Sequence, residues 1–573
     1  MPSVTALTTL ALAAAVILWL GPRLYQRLQL SRAKHPSLQG HSRMARRVAR
    51  LLPYYDYDDA TFFRCDDAPE RIAEQRRAGL YRLSENLHAR SPQALQAGTE
   101  LAEGLSDLDF TSRYRVPFQF RHLVSRLLPP AMMAEATEGP WVRDIDGNWL
   151  LDASGSYGVN VFGHDFYRAC LAEGQERTRS LGLYLGAYHP VVLENVRALK
   201  RLSGLDEVSF HMSGTEAVMQ AVRLARYHTG RSQLVRFCGA YHGWWDGVQP
   251  GIGSQRDASD VYTLRDRDER SLEVLRSRRD IACVLVSPFQ ALHPNAGAPG
   301  DAALIAGDRQ CGFEPEAYRQ WLHRLREVCS ERGIVLILDE IFSGFRLAPG
   351  GAQEYFGLQA DMVTYGKTLG GGLPVGVLCG RTPLMKRYRP DRPADICFAR
   401  GTFNAHPSVM GCMNVFLERL RGPAIASFYR DLHSVWNQRA ARLNEQLEAE
   451  GLPLRIANLV SIWSVIYTAR SRYNWMFQFY LRDQGIQLPW TGTGRLIFSH
   501  DYDDEAFSTF MTRFVAAGRA MAADGWFWEN PELGNAAIRK RVLGELIRQR
   551  LPFPRTRRHT APAGGAAGDQ PLQ

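Results

Sequence analysis

Four short segments hold side chains that could do chemistry together. Lys367 lies in Thr364-Tyr-Gly-Lys-Thr-Leu-Gly-Gly-Gly372. A lysine that forms a Schiff base needs burial, close approach by a carbonyl and a lowered pKa, and glycines permit that approach. The bland alternative is a surface cation on a flexible loop. Asp339 ends the apolar run Ile334–Leu338. A carboxylate at the carboxyl end of a buried strand lies where open α/β sheets bind ligands. Such a charge is costly without a cationic partner. A protonated ring nitrogen would serve, and so would a structural salt bridge to Arg346. Ser213, Gly214 and Thr215 open a helical pattern; free N–H groups and two hydroxyls there make a phosphate seat or an ordinary helix cap. Tyr241, with His242 beside it, follows a strand-like run. It would stack on a planar ligand or simply close the core.

These segments need a frame that brings them to one edge. Leu234–Phe237, Ile281–Val286 and Ile334–Leu338 read as buried strands, and Thr215–His228 and Ala317–Arg332 as helices. Strands alternating with helices predict βαβ units and a parallel sheet. Upstream, Trp141–Asn148 reads as a hairpin with an Asp146-Gly147 turn. Residues 415–550 read as a smaller α+β domain behind a large domain over 111–414. Its aromatic residues (Trp463, Tyr467, Tyr473, Trp475, Phe477, Phe479, Tyr480, Trp490) suit a core or, alternatively, an apolar substrate channel.

Composition sets the limits. The 573 residues are 45% apolar and 10% aromatic, too apolar for a disordered chain. Nine scattered Cys without a C-x-x-C pair argue against a disulfide framework and a zinc site, and no residue is assigned to a metal. The net charge of +10 sits at the ends: Gly21–Leu52 carries eight basic and no acidic residues, and Asn535–Arg558 eight basic and one acidic. The rest is net negative, which excludes a nucleic-acid-binding body. The uncharged run Val4–Leu20, followed by arginines, is expected to be a transmembrane anchor (residues 1–21) with the catalytic body on the cytoplasmic side. Residues 22–110 are expected to form a basic juxtamembrane stretch and a solvated helical linker. Residues 551–573 are expected to be a disordered tail.

Taken together the four segments resemble the fold-type I, class III pyridoxal-phosphate (PLP) aminotransferases. The most specific stretch is Ile337–Gly380, "ILDEIFSGFRLAPGGAQEYFGLQADMVTYGKTLGGGLPVGVLCG"; "GSYGVNVFGH" (Gly155–His164), "MSGTEAVMQAVRLAR" (Met212–Arg226) and "GTFNAHP" (Gly401–Pro407) extend it. Within the family the likeness is greatest to glutamate-1-semialdehyde 2,1-aminomutase, over about residues 115–520. The resemblance implies a large PLP-binding domain, a smaller C-terminal domain and a homodimer with shared active sites. It gives Lys367 the Schiff base and Asp339 the pyridine nitrogen. Tyr241 and Ile341 would take the two ring faces, and Ser213, Gly214 and Thr215 the phosphate. Thr402 would reach the neighbouring subunit's phosphate, and His242 adjoins the stacking position.

The sequence also departs from the family. A Glu-Pro pair usual there is Ser287-Pro288-Phe289-Gln290 here, with extra residues Ala291–Gln310. The missing carboxylate counts against glutamate as donor and its semialdehyde as substrate. Gln290 or Asn295 is a weak candidate for the cofactor hydroxyl. Phe342 stands where many ω-amino-acid aminotransferases place Gln. The expected activity is therefore amino transfer from an amino-acid donor to an aldehyde or ketone, lipid-like or carrier-linked, with the 2,1-aminomutase as alternative. Intact Lys367 and Asp339 speak against a scaffold without turnover.

Overall fold

The computed structural model describes residues 4–35, 40–108, 110, 116–129, 133–249, 251–254, 256, 259–288, 314–489 and 495–550. Among them, seven strands form one sheet: β1 (Glu207–His211), β2 (Gln233–Phe237), β3 (Val261–Leu264), β4 (Ile281–Val286), β5 (Val335–Asp339), β6 (Met362–Gly366) and β7 (Gly376–Gly380), in the order β1-β7-β6-β5-β4-β2-β3. All neighbours run parallel except β7, which is antiparallel to both β1 and β6. β4 to β7 are buried along their whole length, as expected of a mainly parallel sheet covered on both faces.

The strand pleat sorts the side chains. In β5, Val335 and Ile337 pack with Val218, Ala221 and Val222 of helix Gly214–Thr229, whereas Leu336 and Leu338 pack with Trp321, Leu322 and Leu325 of helix Pro315–Arg332. Alternation of period two puts Asp339 on the same face as Val335 and Ile337, the face of the Gly214–Thr229 helix. The predicted strands and helices thus form within a residue or two of their expected bounds, as does the hairpin Trp141–Asp144/Trp149–Asp152.

The C-terminal region is a three-stranded antiparallel sheet, Leu454–Leu459, Ile462–Tyr467 and Arg495–Ile497, packed with helices Pro423–Ala449 and Asp504–Ala523. Trp463, Tyr467, Tyr473, Trp475, Phe477, Phe479 and Tyr480 are all buried in one cluster. Tyr467 meets Phe477 and Trp475 meets Phe479 edge-on, and Trp436, Phe498, Phe507 and Phe510 surround Trp463 edge-on. These aromatics fill space as a core. Trp490 lies outside the described residues, as does the tail 551–573.

Two expectations about the N-terminal region are corrected. No helix among the described residues is long and apolar enough to cross a membrane. The apolar run belongs to a 30-residue helix, Val4–Ala33, that continues through Pro22 and carries Arg23, Arg27 and Arg32. Seventeen residues rise only about 25 Å, short of a hydrocarbon core of about 30 Å. Beyond the run the helix docks on protein: Ala33 is fully buried and its carbonyl accepts from Arg265 N at 2.9 Å. The expected single-pass placement rested on that anchor and loses its support.

The stretch expected to be a solvated linker is instead part of the body. Phe62, Phe63, Ile72, Leu80, Leu83 and Leu87 are buried. The buried Arg76 donates to Phe63 O and Gly525 O. Arg472, 3% exposed, pairs with Asp66 at 2.8 Å and Glu545 at 2.9 Å. A buried arginine needs such partners, and here they join residues from three distant parts of the chain.

Candidate active site

The carboxyl ends of β5 and β6 and the loop after β2 converge on one carboxylate. In the β5–β6 register Asp339 faces Thr364. Thr364 Oγ1 donates to Asp339 Oδ1 at 3.1 Å, and the Ile341 N–H donates to the same oxygen at 3.2 Å. His242 Nδ1 lies 2.7 Å from Oδ2. Asp339 is 4% exposed and His242 2%. Burial holds the His242 pKa below its ordinary value against the opposing pull of Asp339, so the neutral imidazole donates through Nδ1. Asp339 is therefore a buried carboxylate whose hydrogen-bond partners here are all uncharged. The alternative bridge to Arg346 does not form. Arg346 is fully buried and donates to Asn160 O, Ser461 Oγ and Phe498 O, tying the large domain to the C-terminal one.

Lys367 follows the last residue of β6 at φ 49°, in the left-handed region, and begins the turn Lys367–Gly370. That conformation is uncommon for a side chain larger than glycine and is found at sites where the surroundings enforce it. Its Nζ donates to the carbonyl of Tyr157 and lies 4.6 Å from the centroid of the Phe342 ring. Burial, and next Arg346, lower its pKa to about 8; Asp339 opposes them and Arg495 adds to them. The surface-cation reading thus gives way to a screened amine, about a tenth of it neutral at pH 7.

Ser213 caps helix Gly214–Thr229, its side chain accepting from Glu216 N at 3.3 Å. The seat is closely walled. A Cβ on Gly376 of β7 would lie 1.9 Å from Ser213 O, one on Gly214 2.5 Å from Ile341 Cδ1, and one on Gly243 2.5 Å from Thr215 Oγ1. Ile341 therefore presses on the helix start, and the loop of Tyr241 and His242 touches Thr215. The Tyr241 ring itself is 68% exposed. Thr402 sits on an exposed turn before helix Pro407–Arg419 and has no hydrogen bond to the other candidate residues. Gln290 and Asn295 lie outside the described residues.

Other residues border Asp339 or Lys367 that reading the sequence did not assign to them. Thr364 was hidden because alternation along β6 marks it only as inward-facing. Tyr157 acts through a carbonyl, which no side-chain pattern reveals. Arg495 opens the strand Arg495–Ile497, which lies on the Gly155–Gly158 turn: Ile497 N donates to Ala153 O at 2.9 Å, and a Cβ on Gly155 would lie 2.6 Å from Ile497 Cγ2. Nearly 130 residues separate it from Lys367 in the chain.

Comparison with known proteins gives the family. The family description "Aminotransferase class-III" matches residues 125–515. The glutamate-1-semialdehyde 2,1-aminomutase of Methanocaldococcus jannaschii is 30% identical over 366 residues, 61% of this chain and 79% of that protein. Its counterpart in Methanothermobacter thermautotrophicus is 33% identical over 367 residues, 61% and 81% respectively. A solved structure described as a transaminase with PLP bound superposes with a TM-score of 0.57 at 26% identity, covering 69% of this chain and 92% of that one. The cofactor is pyridoxal 5'-phosphate, and the activity is that of a PLP-dependent transaminase or aminomutase. With the matched region spanning more than half of its length, this chain belongs to the class III aminotransferases.

Proposed function

We propose that the protein transfers an amino group from an amino-acid donor to an aldehyde or ketone acceptor. The single observation that carries this reading is the pairing of a screened amine, Lys367, with a buried carboxylate, Asp339, on adjacent strand ends. PLP, when bound, supplies an electron sink for the charge left when a bond breaks at the amine-bearing carbon.

The residues present fit that group. Asp339 is buried among neutral donors, and a cationic ring nitrogen is the partner such a carboxylate needs. Ser213, Gly214 and Thr215 would hold the phosphate at the helix start. Lys367 would hold the cofactor covalently, then give and take the proton at the substrate carbon; a pKa of about 8 suits both tasks near neutral pH. His242 and Thr364 keep the two Asp339 oxygens in fixed directions. Tyr241 and Ile341 would enclose the ring. Arg495, a positive neighbour of Lys367, is the candidate to receive a donor carboxylate.

A homodimer is part of this proposal. Leu183, Tyr184, Tyr188, Tyr241, Trp244 and Phe398 are all more than half exposed and are available to an interface. Thr402 would act across that interface.

A second reading, intramolecular 2,1-amino transfer, is favoured by the names of the relatives; Ser287, in place of the family's carboxylate at the end of β4, counts against it. A half-reaction separates the two. Release of an oxo-acid from an amino-acid donor supports transamination between molecules. Conversion of an amino aldehyde with no donor supports the mutase.

A further inference from the structure

We infer that Phe342 is a positioning residue for Lys367: its ring face carries the lysine amine while that amine is not bonded to the cofactor. The inference rests on Lys367 being the attachment point proposed above.

Three observations support it. The Lys367 Nζ lies 4.6 Å from the ring centroid, inside the range of about 6 Å in which an ammonium is attracted to an aromatic face. The ring is held in place: a Cβ on Gly158 would lie 2.5 Å from its Cε2, so the Gly155–Gly158 turn abuts it directly. The same turn presents the Tyr157 carbonyl to the same nitrogen, so ring and carbonyl together fix where the amine points. Arg346 also lies beside the ring, its Cζ 5.9 Å from the centroid.

The charges facing Lys367 explain why an aromatic matters here. Arg346 and Arg495 repel the ammonium and Asp339 attracts it, while burial disfavours it. The ring quadrupole adds to the side of Asp339 without adding a charge or a hydrogen-bond acceptor. A glutamine at 342 would instead offer a carbonyl that competes for the amine. Phe342 thus keeps Lys367 aimed and sets the pH at which it becomes a free nucleophile.

The test is the pH dependence of PLP uptake by full-length protein stripped of cofactor, followed by the rise of the visible absorbance, in wild type, Phe342→Leu and Phe342→Tyr. Wild type takes up PLP with a midpoint near 8. In F342L the midpoint falls by roughly 0.4–0.7 units, the equivalent of losing a cation–π contact of about 0.5–1 kcal/mol, while F342Y, which keeps the ring face, stays close to wild type. A midpoint unmoved in F342L at an intact melting temperature overturns the inference and leaves the role of Lys367 standing. Wild type that takes up no PLP overturns both. Phe342→Met, which has no ring, replaces F342L if the latter fails to fold, with the same two outcomes.

Discussion

His242 Nδ1 stands 2.7 Å from Asp339 Oδ2, with both residues almost wholly buried. The imidazole, kept neutral by burial, orients the carboxylate without neutralising it. Asp339 is the group placed to meet a cationic ring nitrogen, and the two residues should differ sharply in mutational cost. Asp339→Asn removes one partner of a buried charge pair, a loss of about 2–5 kcal/mol or roughly 30- to 5000-fold in the rate of the donor half-reaction. His242→Phe removes one neutral hydrogen bond, worth about 0.5–1.5 kcal/mol. Single-turnover kinetics with a good donor should rank the two in that order, and equal losses would count against the role given to Asp339.

The phosphate seat has no room for a side chain behind it. A Cβ on Gly376 would meet Ser213 O at 1.9 Å, so Gly376→Ala must push β7 away from the helix start. Overpacking of this kind costs about 1–3 kcal/mol. Titration of cofactor-free protein with PLP should give at least tenfold weaker binding in this variant, with the sheet retained by circular dichroism. Unchanged affinity would move the phosphate elsewhere.

Arg495 tests the donor class. Arg495→Gln removes a positive neighbour of Lys367. The KM for carboxylate-bearing donors should rise by about tenfold or more, the lower end of what a charge-assisted hydrogen bond contributes, while an amine lacking a carboxylate is little affected. An equal effect on both donor types would assign Arg495 a structural role.

The Arg472 network should matter to stability and little to chemistry. Arg472→Met leaves Asp66 and Glu545 facing each other without their cation, a loss of about 3–5 kcal/mol for a broken buried pair. Chemical denaturation should show that loss. Hydrogen exchange should speed up first in the Asn535–Arg550 helix, which Glu545 anchors.

Much of the large domain was legible in the sequence because its signals are local. The β4 and β5 runs are apolar at every position and announce a sheet buried on both faces, and Ser213 and Glu216 mark a helix start. Lys367 and Asp339 stand out by chemical type against glycine-rich and apolar surroundings. What escaped is set by contacts between distant segments. The stretch around Glu70–Arg90 looks polar, yet Ile72, Leu80, Leu83 and Leu87 along it are buried and its Arg76 reaches Gly525 O. The Val4–Leu20 run is apolar enough to suggest a span, but its helix does not stop where the apolar run stops. The sequence offered Arg346 only as a partner for Asp339; its role in joining the large domain to the C-terminal one depends on Ser461 and Phe498, more than a hundred residues away.

The most direct test of the central claim uses the small number of lysines. The chain has five, at 34, 200, 367, 386 and 540. Borohydride reduction of the PLP-loaded protein, followed by proteolysis and peptide mass spectrometry, should place a stable pyridoxyl group on Lys367, and Lys367→Ala should carry none and turn over no donor. A label on another lysine, or full turnover in K367A, would contradict the account.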